Sequence, residues 1–197
     1  MHVLSFGILS SGEGERLRLN LGCGFDIKKG WVNCDFVPAL GVDMCFDLTK
    51  HPLPFEDNSV DEILALGILE HLIDWESVLI ECHRVLAPSG VITISVPYGM
   101  DYRAYHVRFF KDSVMRGFYG DSTDGYEGCS QYPFKKPPFK LVSLRVERVF
   151  WLGWHFKHYL GIGYWAVKDP RNGNTVSRRY TFPIGRRDTI TWVLKKV

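Results

Sequence analysis

Leu19-Asn20-Leu21-Gly22-Cys23-Gly24 is the stretch on which the reading of this chain turns. It follows directly from the alternating run at residues 16–21, Arg-Leu-Arg-Leu-Asn-Leu, which reads as a first β-strand. Glycines at the carboxyl end of such a strand let a ligand approach the backbone closely. In open α/β sheets, ligands sit outside the carboxyl ends of the strands. Taken alone, Gly-x-Gly is equally an ordinary tight turn.

The segments that follow supply the context. Trp31 to Asp35 reads as a second short strand, Val42 to Asp47 as a third and Val60 to Leu66 as a buried fourth. Trp75 to Leu86 reads as a helix with Asp74 as N-cap, because Val78, Leu79, Cys82, Val85 and Leu86 share one face. Pro88 and Gly90 end it. Val91 to Val96 is β-branched and apolar, as a central parallel strand should be. Beyond it, Lys111 to Tyr119 reads as a short helix and residues 120–139 as a long loop. Lys140 to Phe150 and Thr189 to Lys195 read as two late strands, an antiparallel hairpin at the sheet edge. The pattern predicts an α/β fold: a Rossmann-like, mostly parallel sheet with an antiparallel C-terminal hairpin. It is read as one domain over residues 1–197, with an aromatic, basic insertion at about 151–187.

Two acids fall at strand ends on the rim that carries the glycines. Asp35 ends the second strand, where a carboxylate can accept from both hydroxyls of a ribose. Asp47 ends the third, where it can accept from an exocyclic adenine amino group. Each is singly explained as a helix or turn cap. Both on one rim are not easily placed there by chance.

With those residues in view, Arg18 to Tyr98 resembles the class I S-adenosylmethionine (SAM)-dependent methyltransferase superfamily. It is similar in particular to its short type-11-like members, often linked with saccharide or cell-surface pathways. The resemblance rests on residues 19–24, Gly30-Trp31-Val32-Asn33, Asp43 with Asp47-Leu48, Leu53-Pro54-Phe55 and Asn58-Ser59-Val60-Asp61. It continues in Leu69-Glu70-His71-Leu72 and Leu86-Ala87-Pro88-Ser89-Gly90, and His106-Val107-Arg108-Phe109-Phe110 is similar to a downstream segment of that group. It implies SAM as cofactor. Within the motif of Leu21, Gly22, Cys23 and Gly24, the two glycines would lie under its methionine part. Asp35 would hold the ribose, with Phe36 against the adenine. Asp47 and Leu48 would frame the adenine edge, and Leu66 and Gly67 would face the sulfonium side.

The chain departs from that pattern in three places. The segment between Gly24 and Trp31 is too short for the usual helix. Gly67 stands where many relatives carry His, in His-x-Leu-Glu-His. Ser89 replaces a common Gly. These departures leave a SAM-binding module without turnover as an alternative to an enzyme.

Methyl transfer needs mainly orientation of its reactants, and a base only where the acceptor is protonated, as a sugar hydroxyl is. His71, Tyr98, Asp101, His106 and His155 are candidate bases, and His106, just beyond the fifth strand, is the preferred one. No Asn/Asp-Pro-Pro-Tyr/Phe follows the fourth strand, which speaks against adenine or glutamine amino groups as acceptors. No cluster of His, Asp and Glu has metal-ligand spacing, so no metal is expected. A dinucleotide dehydrogenase would need a third glycine where Ile27 stands and a helix after it. The resemblance implies a small-molecule or saccharide hydroxyl as the acceptor.

Composition bounds the rest. Five cysteines with no close pair favour a reduced, cytoplasmic protein over a disulfide framework. No apolar run approaches the ~20 residues that span a bilayer. Residues 1–100 carry 6 Lys/Arg against 14 Asp/Glu, and residues 101–197 carry 18 against 8. The basic half, with its interleaved aromatics, is read first as a packed subdomain, a homo-oligomer interface or a substrate lid, with nucleic acid or a membrane surface as less favoured alternatives.

Overall fold

Leu19 and Leu21 are buried to 0% and 1% exposure on the third strand across a nine-stranded sheet, flanking Asn20. The structure is a computed structural model describing residues 17–98, 106–111, 113–120, 137–150, 161–168, 175–182 and 188–197. Asp101, His155 and most of the expected 120–139 loop lie outside the described residues. The strands are β1 (Arg18–Leu21), β2 (Val32–Asp35), β3 (Met44–Cys45), β4 (Val60–Leu66), β5 (Leu86–Pro97), β6 (Phe139–Phe150), β7 (Gly161–Lys168), β8 (Thr175–Phe182) and β9 (Thr189–Lys196). Their order across the sheet is β3-β2-β1-β4-β5-β9-β6-β7-β8. The pairs from β3 to β5 are parallel. Those from β5 through β9 and β6 to β8 are antiparallel.

This is the expected Rossmann-like parallel sheet with antiparallel C-terminal strands. The two late strands do pair, in the register Leu144↔Trp192 and Val146↔Ile190, but β9 lies between β5 and β6. The stretch at 151–187, read from sequence only as an aromatic insertion, contains β7 and β8, which carry the sheet on past β6.

α1 (Trp75–Val85) starts where Asp74 accepts from the Ser77 amide at 3.2 Å and the Ser77 hydroxyl at 2.7 Å. It buries Trp75, Val78, Leu79, Cys82 and Val85. It passes straight into β5 at Leu86, ahead of Pro88 and Gly90, because Leu86 already pairs with Val60 of β4. The expected 111–119 helix shrinks to α2 (Arg116–Tyr119), and the third strand to two residues. Trp75 meets Phe110 and Phe118 at ring distances of 5.4 and 5.8 Å, and Phe110 reaches Trp192 of β9 at 6.4 Å. Both helices therefore pack on one face of the sheet, over Ile92, Ile94, Ile190, Trp192 and Leu194.

Arg84 fastens the segment before β4 to α1. Its guanidinium donates to Glu81, Asp57 and the carbonyls of Leu53 and Phe55. Lys196 does the same for the end of β9, donating to Asn58 Oδ1 and the His83 and Leu86 carbonyls, each at 2.7 Å. No helix among the described residues is long and apolar enough to cross a membrane.

Candidate active site

From β1 the chain runs outward to β2 and β3, then crosses back to β4 on the other side of β1. The connections leaving β1 and β4 part at that point, and such a topological switch opens a crevice. A cleft of about 350 Å³ lies there, lined by Gly22, Cys34, Asp35, Phe36, Phe46, Asp47, Leu48, Thr49, Ile68 and Leu72. Its volume is in the range of small-molecule sites.

The turn after β1 is held by hydrogen bonds in place of a helix. Buried Asn20 donates from Nδ2 to the Asp26 carbonyl (2.8 Å) and to Asn33 Oδ1 (3.0 Å). Asn33, its register partner in β2, also accepts from the Lys28 amide, and its own amide donates to Asp43 Oδ2 at 2.7 Å. The side chains of Asn20, Asn33 and Asp43 thus brace the short connection the sequence showed. Gly22 and Gly24 adopt φ of +62° and +50° within it. A Cβ on Gly22 would stand 2.6 Å from Ile68 Cγ1, whereas one on Gly24 would meet nothing within 4 Å.

Asp35 faces that turn. Its Oδ2 accepts from the Gly24 amide at 2.8 Å and its Oδ1 from the Val37 amide at 3.0 Å. Each oxygen keeps a lone pair for a further donor. Asp47 is fixed through Oδ1 by the Thr49 hydroxyl (2.7 Å) and amide (2.9 Å). These bonds, the hydroxyl's foremost, hold its carboxyl below the usual range. Phe36 is 70% exposed and offers an apolar face beside the cleft. Phe46 stands against Phe55, ring centroids 5.9 Å apart.

Of the residues expected from sequence, Gly22, Asp35, Phe36, Asp47 and Leu48 line one cleft. Leu21 and Cys23 do not; they are buried to 1% and 5% exposure, Leu21 in the core and Cys23 with its amide on the Cys34 carbonyl. Gly24 enters through its amide bond to Asp35. Leu66 and Gly67 end β4 beside the cleft, with Gly67 at φ +70° and its amide on the Ser95 carbonyl. Sequence reasoning missed Cys34, Phe46, Thr49, Ile68 and Leu72. Burial pushes the Cys34 thiol far up, so it is an uncharged wall.

His106 lies close to His71, their rings edge to face at 4.8 Å. The Val107 and Arg108 amides both donate to the Glu70 carbonyl, and the Arg108 guanidinium donates to the Ile73 carbonyl, at 2.6 Å from Nη2. The segment beyond β5 is thereby pinned to the single 3-10 turn Leu69–His71 that follows β4. Glu70, His71 and His106 present ligand-type atoms within 4.8 Å of one another. Sequence spacing alone does not show this grouping: His106 is remote in sequence, and only the fold brings it in. Tyr98 bridges Phe110 in an isolated parallel pairing.

Residues 19–94 match the methyltransferase-domain family. That stretch of the chain is similar to the class I S-adenosylmethionine-dependent methyltransferases. Over 45 residues it is 44% identical to a protein of Mycolicibacterium smegmatis described as a probable S-adenosylmethionine-dependent methyltransferase; the match covers 23% of this chain and 18% of that one. A solved Bacillus halodurans structure, assigned as a methyltransferase, shares the fold at 14% identity and TM-score 0.50, over 93% of each chain. The cofactor of this superfamily is SAM. The cleft of this chain suits it: two carboxylates for hydroxyl and amino donors, a glycine turn with space above Gly24, and aromatic and aliphatic walls.

Proposed function

We propose that this chain transfers a methyl group from SAM to a hydroxyl of a small molecule or saccharide. The observation that carries the reading is the placement of Asp35 and Asp47 on one cleft rim beside the Gly22–Gly24 turn. Asp35 takes the ribose hydroxyls, Phe36 covers the adenine, and Asp47 with Leu48 holds its edge. Gly22, Gly24 and the backbone of Leu21 and Cys23 receive the methionine part, and Leu66 and Gly67 face the sulfonium. When bound, SAM supplies an electrophilic methyl group that needs no further activation. The protein's task is then to orient the acceptor and assist loss of its proton. His106 is the acceptor-side catalytic residue, reaching the rim from beyond β5. The chain forms one domain, with the 151–187 stretch as an elaboration of its sheet edge. Cys23, Cys34, Cys45 and Cys82 are free thiols, which supports a cytoplasmic setting.

The test is methyl-labelled SAM incubated with the protein and a panel of free sugars, sugar nucleotides and polyols. Label is expected in an O-methyl ether, and none with Asp35→Ala. Label appearing only in amines or nucleic acid would overturn the acceptor class.

A further inference from the structure

We propose that Glu70, His71 and His106 form a site for one divalent transition-metal ion of the zinc, manganese or cobalt kind. One carboxylate and two imidazoles are a ligand set such ions favour over magnesium or calcium, which take oxygen donors. The three donor atoms lie within 4.8 Å of one another. Metal–ligand bonds of about 2.1 Å place donors about 3 to 3.5 Å apart around one ion. A side-chain adjustment of about an ångström closes the set. His71 has room for it, its side chain being 37% exposed, while Glu70 is held at 5%.

The backbone is already committed to this arrangement. The Val107 and Arg108 amides dock the His106 segment on the Glu70 carbonyl at 2.9 and 3.2 Å. The Oε2 of Glu70 and Nδ1 of His106 are both buried from solvent. A carboxylate in that position gains from a cation, and two imidazoles beside it turn that gain into a directed site. The His71 Nε2 to Glu70 Oε1 separation of 4.0 Å is too long for a hydrogen bond between them, and a shared ion would bridge it.

The cluster stands next to the cleft. Ile68 and Leu72, on either side of Glu70 and His71, line it. A Cβ on Gly67 would come within 3.6 Å of Glu70 Oε1, so the carboxylate lies directly beside the end of β4. Three protein ligands leave a position open, which an acceptor hydroxyl would fill. Bound there, the ion would supply Lewis acidity that eases loss of the hydroxyl proton to solvent. His106 then assists deprotonation as a ligand and not as the base itself. This role rests on the proposed methyl transfer; the binding of the ion does not.

The experiment uses untagged, metal-stripped full chain. Zinc ion is titrated calorimetrically and cobalt ion is followed by its visible absorption. S-adenosylhomocysteine is titrated in parallel as an independent measure of the cofactor cleft. One ion per chain is expected. Its affinity should fall about 10-fold or more in His71→Ala and again in His106→Ala. S-adenosylhomocysteine affinity should stay unchanged in both. No ion bound by the wild type, or binding unmoved in the double variant, would overturn the site. Ion binding without S-adenosylhomocysteine binding would uphold the site while defeating the methyltransferase reading.

Discussion

Gly22 and Gly24 share a backbone conformation but not a reason for having no side chain. Both need positive φ, which costs an L residue roughly 1–2 kcal/mol. Gly22 in addition lies under Ile68, with no room for a Cβ. Gly24→Ala should therefore cost about 1 kcal/mol and leave cofactor affinity to report on the cleft alone. Gly22→Ala should cost about 2 kcal/mol more, because overpacking adds to strain. Urea denaturation of the two variants checks this; equal losses would contradict the Ile68 contact. Ser89 adopts φ +68° without being a glycine, so the exchange noted in the sequence is a strained one. At this scale the sequence was informative where chemistry demands a rare residue. Asp35 and Asp47 stood out as acids at strand ends. Cys34, Phe46, Thr49 and Ile68 did not, because wall residues are ordinary types that only packing brings to a cleft. Glu70, His71 and His106 were visible singly, and their meeting depends on a backbone docking that no spacing encodes.

α1 and the parallel strands were legible because each carries a strong period or a β-branched run. The start of α1 was legible through its cap: Ser77 donates to Asp74 and holds that carboxyl below its ordinary range. Asp74→Ala should cost about 1 kcal/mol, seen as a lowered urea midpoint with an unchanged slope. An unchanged midpoint would mean that packing of Trp75 and Val78 alone fixes the helix start. The end of α1 was less legible. Pro88 and Gly90 mark a break, yet Leu86 has already joined β5, since pairing with Val60 outweighs one more helical turn. β7 and β8 escaped notice because glycines and scattered aromatics blur the two-residue period, and their pairing with β6 is settled by the sheet rather than locally.

Across the whole molecule, the strand order could not be read from the chain. β9 inserts between β5 and β6, where Trp192 is wholly buried and Lys196 ties the last strand to α1 and β5. That closure has a pH signature. Burial, with the Lys196 charge beside it, lowers His83 from 6.5 to about 4, although a hydrogen bond to the Pro138 carbonyl opposes this. Unfolded chain therefore binds a proton between about pH 6.5 and 4 that the folded chain refuses. Stability is held above that window and lost as pH falls through it. His83→Gln should lose less stability than wild type over the same interval, measured by urea denaturation at each pH. Parallel curves would show that His83 is not the group responsible.

The parallel half of the sheet exists, on this account, to place Asp35 and Asp47 around a SAM cleft. Calorimetric titration of the folded protein with S-adenosylhomocysteine, beside Asp35→Ala and Asp35→Asn, tests that most directly. Saturable one-to-one binding at about micromolar strength, or about −8 kcal/mol, weakened about 10-fold or more in both variants, is the predicted result. No binding by well-folded wild type, or equal affinity in the variants, would contradict it.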